Sequence, residues 1–149
     1  MATVRHAGIV VSDIERSLVF YCDLLGLKKA SVNDETGAFL EGLLAMPGAR
    51  IKTAKLGGED GSSLLELLAF EEPAPRRGDC SLHTIGPTHV ALTVNDLESL
   101  YLRLIDEGII FNAAPDISPN GMAKVAFCRD PDGTYLELVE ELNVEGGAQ

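Results

Sequence analysis

Four side chains able to do chemistry, His6, Glu66, His89 and Glu137, occupy matching places in two halves of the 149-residue chain. Residues 6–15 align without a gap to residues 89–98, and Leu65-Glu66-Leu67 has a counterpart in Leu136-Glu137-Leu138. Self-similarity of this kind means that one supersecondary unit is built twice. Ala7, Ile9 and Val11 share one face of a strand, as do Val90, Leu92 and Val94, so His6 and His89 take the opposite face. By the same alternation Glu66 and Glu137 point away from their flanking leucines. If the leucines face the helices, a sheet made from both repeats gathers two imidazoles and two carboxylates on its other side. Carboxylates on a largely buried face are costly unless compensated, and a divalent cation compensates them while accepting neutral imidazole nitrogen. Two nitrogens with two oxygens suit Zn²⁺, Ni²⁺, Co²⁺, Mn²⁺ and Fe²⁺ alike. One histidine on a strand is more simply structural, and one strand glutamate more simply solvated. Their matched positions favour coordination, with a degenerate binding protein that has lost its metal as the competing reading.

The elements that must position these groups follow from the same pattern. Each histidine-bearing strand runs into a helix-start signal, Ser12 with Glu15 and Asn95 with Glu98, in the manner of a capping box. Ile14, Ser17, Leu18, Tyr21 and Leu25 then mark one buried helical face, and Leu97, Leu100, Tyr101, Leu104 and Ile105 another. Gly26 and Gly108 close the two helices. Strand-like stretches are expected at Ala38–Leu44, 50–56 and 63–70 in the first half, and at 110–112, 123–129 and 134–140 in the second. Turn sequences separate them: Met46-Pro47-Gly48, residues 57–61, Pro119-Asn120-Gly121 and Asp130-Pro131-Asp132-Gly133. The expected fold is α+β: two tandem β-α-β-β-β repeats forming a cupped, largely antiparallel mixed sheet with helices outside. Repeat one spans about 4–70, repeat two about 88–142, and the Pro- and Arg-containing stretch 71–87 connects them within one domain, 1–149. A frayed tail is expected from Asn143.

Apolar residues make up 46% of the chain, enough for a core, and the formal net charge of −11 opposes binding to nucleic acid or to an anionic membrane surface. No secretory signal or membrane-spanning run is evident. Cys22, Cys80 and Cys128 lack metal or redox spacing and read as free thiols, consistent with the cytoplasm. Arg50 with Lys52, and Lys124 with Arg129, could hold an anionic substrate tail; solvated surface charge is the simpler reading.

The repeated pattern with His6, Glu66, His89 and Glu137 resembles the vicinal oxygen chelate superfamily of glyoxalases, bleomycin-resistance proteins and extradiol dioxygenases. The stretch Arg129-Asp-Pro-Asp-Gly-Thr-Tyr-Leu-Glu-Leu138 is similar to that family's terminal hairpin. The resemblance implies a cupped sheet holding one divalent metal, a small-molecule substrate with vicinal oxygens, and often a homodimer. Closest in ligand pattern is glyoxalase I, a lyase or isomerase that moves a proton next to a carbonyl through a metal-bound enediolate. That likeness makes Glu137 the ligand that doubles as proton shuttle, with Glu66 the second carboxylate. Methylmalonyl-CoA epimerases usually carry Gln at the place of Glu66. Glyoxalase I enzymes hold glutathione with an Arg and an Asn where this chain has Val10 and Leu68-Ala69-Phe70. An extradiol dioxygenase would use His6, His89 and Glu137 around iron, with His83 and Tyr135 the only further His and Tyr near the pattern. A non-catalytic drug-binding protein of the same fold is the remaining alternative.

Overall fold

The structure, a computed structural model, describes residues 2, 4–58, 63–78 and 81–142. Cys80, part of the glycine-rich turn 57–61 and the tail from Asn143 lie outside the described residues. The chain divides into two compact units, Met1–Asp79 and Cys80–Gln149. Each holds a four-stranded mixed sheet of the same order, so the architecture is α+β with two similar halves.

In the first unit β1 (Ala7–Val10) lies parallel to β4 (Ser63–Glu72), and β4 is followed across the sheet by β3 (Arg50–Gly57) and β2 (Lys28–Thr36), both antiparallel. Between β1 and β2 the helix α1 (Ile14–Leu18) widens into π-helical turns over Val19–Leu24. The wider turn lets the adjacent Phe20 and Tyr21 both be buried, their rings edge to face at 5.0 Å. Helix α1 packs on β3 and β4, against the face carrying Ile9, Leu65 and Leu67. In the second unit β5 (His89–Thr93) is parallel to β8 (Tyr135–Glu141), with β7 (Ala123–Arg129) and the two-residue β6 (Asp116–Ile117) beyond it. Helix α3 (Leu97–Asp106) buries Leu97, Leu100 and Leu104 on this sheet's Leu136 and Leu138 face. Each such side chain contributes roughly 1.5–3 kcal/mol by leaving water.

Three expectations change. Ala38–Leu44 is a helix, α2, rather than a strand. Leu40 and Leu44, four apart, form one helical face packed with Ala49, Ile51, Leu68 and Phe70, and a positive φ of 100° at Gly37 starts the helix. The first unit's missing strand is β2, whose sequence Lys-Lys-Ala-Ser-Val-Asn-Asp-Glu-Thr is mostly exposed. As a sheet edge it is held by the backbone ladder to β3, which carries no apolar signature. In the second unit, residues 110–112 contribute only an isolated bridge from Phe111 to Cys128, and the edge strand lies at Asp116–Ile117. Helix capping moves by one residue: Asp13 accepts from the Arg16 N–H at 3.0 Å and Asp96 from the Ser99 N–H at 3.2 Å, in place of Ser12 and Asn95. Among the described residues no helix is long and apolar enough to cross a membrane.

Candidate metal centre

Strand pairing explains how each imidazole reaches its carboxylate. In the first unit the residue directly beside Glu66 on β1 is Gly8, not His6; in the second, the residue beside Glu137 on β5 is Ala91. Both positions are small. His6 and His89 sit one step back on the same faces and lean over these gaps, so that Nε2 of His6 lies 3.1 Å from Oε2 of Glu66 and Nε2 of His89 lies 3.3 Å from Oε2 of Glu137. At Gly8 an added Cβ would stand 3.2 Å from Leu68 Cδ1, so a larger residue there would push on that side chain. The four side chains are part-shielded but reachable, His6 and His89 at 33% and 35% exposure, Glu66 and Glu137 at 15% and 26%.

The second unit holds its histidine more elaborately. Nδ1 of His89 is 2.9 Å from the Thr88 hydroxyl, and the His89 ring meets Phe127 edge to face at 5.2 Å. A partner on Nδ1 fixes the ring's orientation and leaves Nε2 as the outward donor. Phe127 is also the cross-strand neighbour of Glu137, whereas Glu66 has Lys55 in that place. The two carboxylates therefore share a repeat position but not a neighbour.

The donors fit a divalent cation pairwise. Two ligands bound at about 2.0–2.2 Å, with angles between octahedral and tetrahedral, stand about 3–3.5 Å apart, and both His–Glu separations lie in that interval. One neutral nitrogen and one anionic oxygen per unit also make a donor set such ions accept. Among the described residues no group of three or more His, Cys, Asp and Glu side chains is placed to hold a metal, so each unit by itself supplies one pair.

The other residues singled out by sequence are engaged elsewhere. Arg50 pairs with Glu71 at 3.6 Å, Lys52 with Asp34 at 3.9 Å and Lys124 with Glu98 at 3.6 Å, and such exposed pairs contribute little. Lys52 and Lys124 alternate with the residues on the His–Glu faces and so stand on the opposite ones. His83 contacts the Ser81 hydroxyl at 2.6 Å. Arg129 differs: it lies across from Tyr135 on the His89–Glu137 face, donates to the Tyr135 hydroxyl, and stacks its guanidinium 4.6 Å above that ring. Cys128 is buried, and burial together with the nearby Asp130 charge pushes its thiol up to about 12. Thr88, Phe127, Gly8 and Ala91 escaped the sequence reading; the small residue two places after each histidine was the available signal.

Comparison with known proteins agrees with this architecture. Residues 3–138 match the family model described as Glyoxalase/Bleomycin resistance protein/Dioxygenase superfamily. A probable lactoylglutathione lyase of Synechocystis is 30% identical over 138 residues, covering 91% of this chain and 92% of that protein. A lactoylglutathione lyase of Haemophilus influenzae is 26% identical over 147 residues, covering 97% and 96%. The crystal structure of a glyoxalase family protein from Bacillus cereus superposes with a TM-score of 0.87 at 20% identity, over 96% of both chains. With its duplicated sheet, its paired imidazoles and carboxylates and a match spanning nearly its whole length, the chain belongs to the glyoxalase/bleomycin resistance protein/dioxygenase superfamily.

Proposed function

We propose that the protein is a divalent-metal-dependent lyase or isomerase of the glyoxalase I type, which moves a proton next to a carbonyl in a small substrate with vicinal oxygens. The observation that carries the reading is the repetition of one His–Glu pair, at ligand-to-ligand spacing, in both units. In it, His6, Glu66, His89 and Glu137 hold one metal ion. When bound, the ion polarises the substrate's two oxygens and so acidifies the neighbouring C–H. Glu137 takes up that proton on a carboxylate oxygen and returns it to the adjacent carbon, so the reaction is an isomerisation with no net redox change. Glu66, with Lys55 across the strand gap, is the charge-compensating ligand. Thr88 and Phe127 hold the His89 ring beside Glu137. The lyase names of the relatives support the reading.

The test is elemental analysis of protein purified without added metal, followed by assay with 2-oxoaldehyde–thiol adducts and acyl-CoA thioesters. One metal ion per chain is expected, with metal lost in His6→Ala and in His89→Ala. Full occupancy in either variant would exclude the proposed ligand set, and a metal-loaded protein that turns over neither class would exclude the reaction. A homodimer, also part of this reading, is checked by sedimentation.

A further inference from the structure

Four cations were candidates for holding an anionic group, and three of them have a carboxylate at hand: Arg50, Lys52 and Lys124. Arg129 has none within ion-pair distance among the described residues. Its Nε–H is buried without a hydrogen-bond partner, although a guanidinium offers five N–H donors and a buried donor left unmatched is costly. Among the described residues only the Tyr135 hydroxyl accepts from the guanidinium, and the Tyr135 ring supports it from one side. The group is thus held in place and undersupplied with acceptors.

Its position is as informative as its surroundings. Arg129 lies opposite Tyr135, and the register continues to His89 on the next strand; one step along, Phe127 lies opposite Glu137, with Ala91 beyond. Arg129 and Glu137 are therefore diagonal neighbours on one sheet face, about 7–8 Å apart. In the first unit Lys55 takes the Phe127 position opposite the glutamate, and a register shift after Leu56 then sets Gly57 opposite Ser63, so no cation stands where Arg129 does. The planar fork beside a His–Glu pair is a feature of the second unit.

We infer that Arg129 is a substrate-positioning residue: it binds a carboxylate carried by the substrate a few ångströms from the vicinal oxygens, and so selects substrates with that carboxylate over those without it. This inference rests on the metal-centre reading and adds a substrate class to it. A carboxylate is the acceptor that the planar guanidinium fork matches best.

Two probes separate the ideas. 2-Oxoglutarate and 2-oxopentanoate present the same pair of adjacent oxygens and differ at the far end, where one has a carboxylate and the other a methyl group. Titration calorimetry on metal-loaded wild-type protein is expected to show 2-oxoglutarate binding on the order of 10- to 100-fold more tightly. In Arg129→Gln the preference collapses towards unity while metal content is unchanged; Arg129→Lys recovers only part of it, keeping the charge without the fork. Equal affinity of the two probes for the wild type, a measurement that needs no variant to fold, overturns the inference and leaves the metal reading standing. A preference retained in Arg129→Gln assigns the carboxylate to another residue and also overturns it. Protein that takes up no divalent metal overturns the reading beneath, and this inference with it.

Discussion

Replacing Asp130 by alanine should cost about 3 kcal/mol, and the figure follows from one oxygen atom. Asp130 is only 5% exposed, and its Oδ1 accepts from the backbone N–H groups of Asp132 and Thr134, each at 2.9 Å. The backbone closes the same turn, with Asp130 N–H donating to Thr134 and Gly133 N–H donating to Asp130. Hydrogen bonds to a charged acceptor contribute about 1.5–3 kcal/mol each; two that share one oxygen are taken at the lower end, giving about 3. Alanine leaves both N–H groups without that acceptor, whereas asparagine keeps an oxygen and loses only the charge, for about 1 kcal/mol. In a chain of this length about 3 kcal/mol lowers Tm by roughly 6–12 °C. Equilibrium urea unfolding with a thermal melt measures both. The consequence reaches the site, because this turn sets the β7–β8 register that places Glu137 opposite Phe127 and Arg129 opposite Tyr135. A loss below about 1 kcal/mol in Asp130→Ala, or equal losses for alanine and asparagine, would show that the oxygen does not organise the hairpin.

Glu137→Gln is expected to lower turnover by about 10²–10⁴-fold while leaving the urea midpoint nearly unchanged; unaltered turnover would remove Glu137 from proton transfer. Hydrogen bonds from Ser99 to the Asp96 carboxylate, and a weaker attraction from Lys124, hold it below its ordinary 3.8. Its capping contribution is therefore complete above the unfolded-state value and fades as pH falls through the lower folded-state value. Thermal melts between about pH 5 and 2 should show a shallower acid slope in Asp96→Asn, and an unchanged slope would contradict the assignment. Cys128, with its thiol raised to about 12 by burial, should escape alkylation at pH 8 in the folded protein and react once denaturant is added. Peptide mass spectrometry reads this directly, and labelling of Cys128 in folded protein would contradict it.

The strand faces that carry His6, Glu66, His89 and Glu137 were legible in the chain because they rest on local rules. Alternation along a strand places His6 and His89 opposite Ile9 and Leu92 whatever the rest of the protein does, and the duplication makes Glu66 and Glu137 equivalent. The buried stripes of α1 and α3, except Ile105, which is exposed, and the Asp-Pro-Asp-Gly turn followed for the same reason, each being decided within about a dozen residues. Helix α2 and strand β2 were misread because both are short. The apolar run Ala38–Leu44 suits either period until Ile51, Leu68 and Phe70 are brought beneath it, and β2 is tied by backbone hydrogen bonds that no side chain announces.

What only the tertiary structure decided is which distant residues became neighbours. Gly8 and Ala91 are unremarkable small residues until parallel pairing puts them beside Glu66 and Glu137, where they open the gaps that the imidazoles cross. Arg50, Lys52, Lys124 and Arg129 are alike as letters. Folding gave three of them a carboxylate, that of Lys124 from helix α3, and set the fourth on the His89–Glu137 face against Tyr135, with none among the described residues. Alternation and helical period are properties of consecutive residues, so the sequence by itself determines them. Register joins segments tens of residues apart through backbone groups that every residue shares, so the charge environment of a side chain is settled only when the sheet closes.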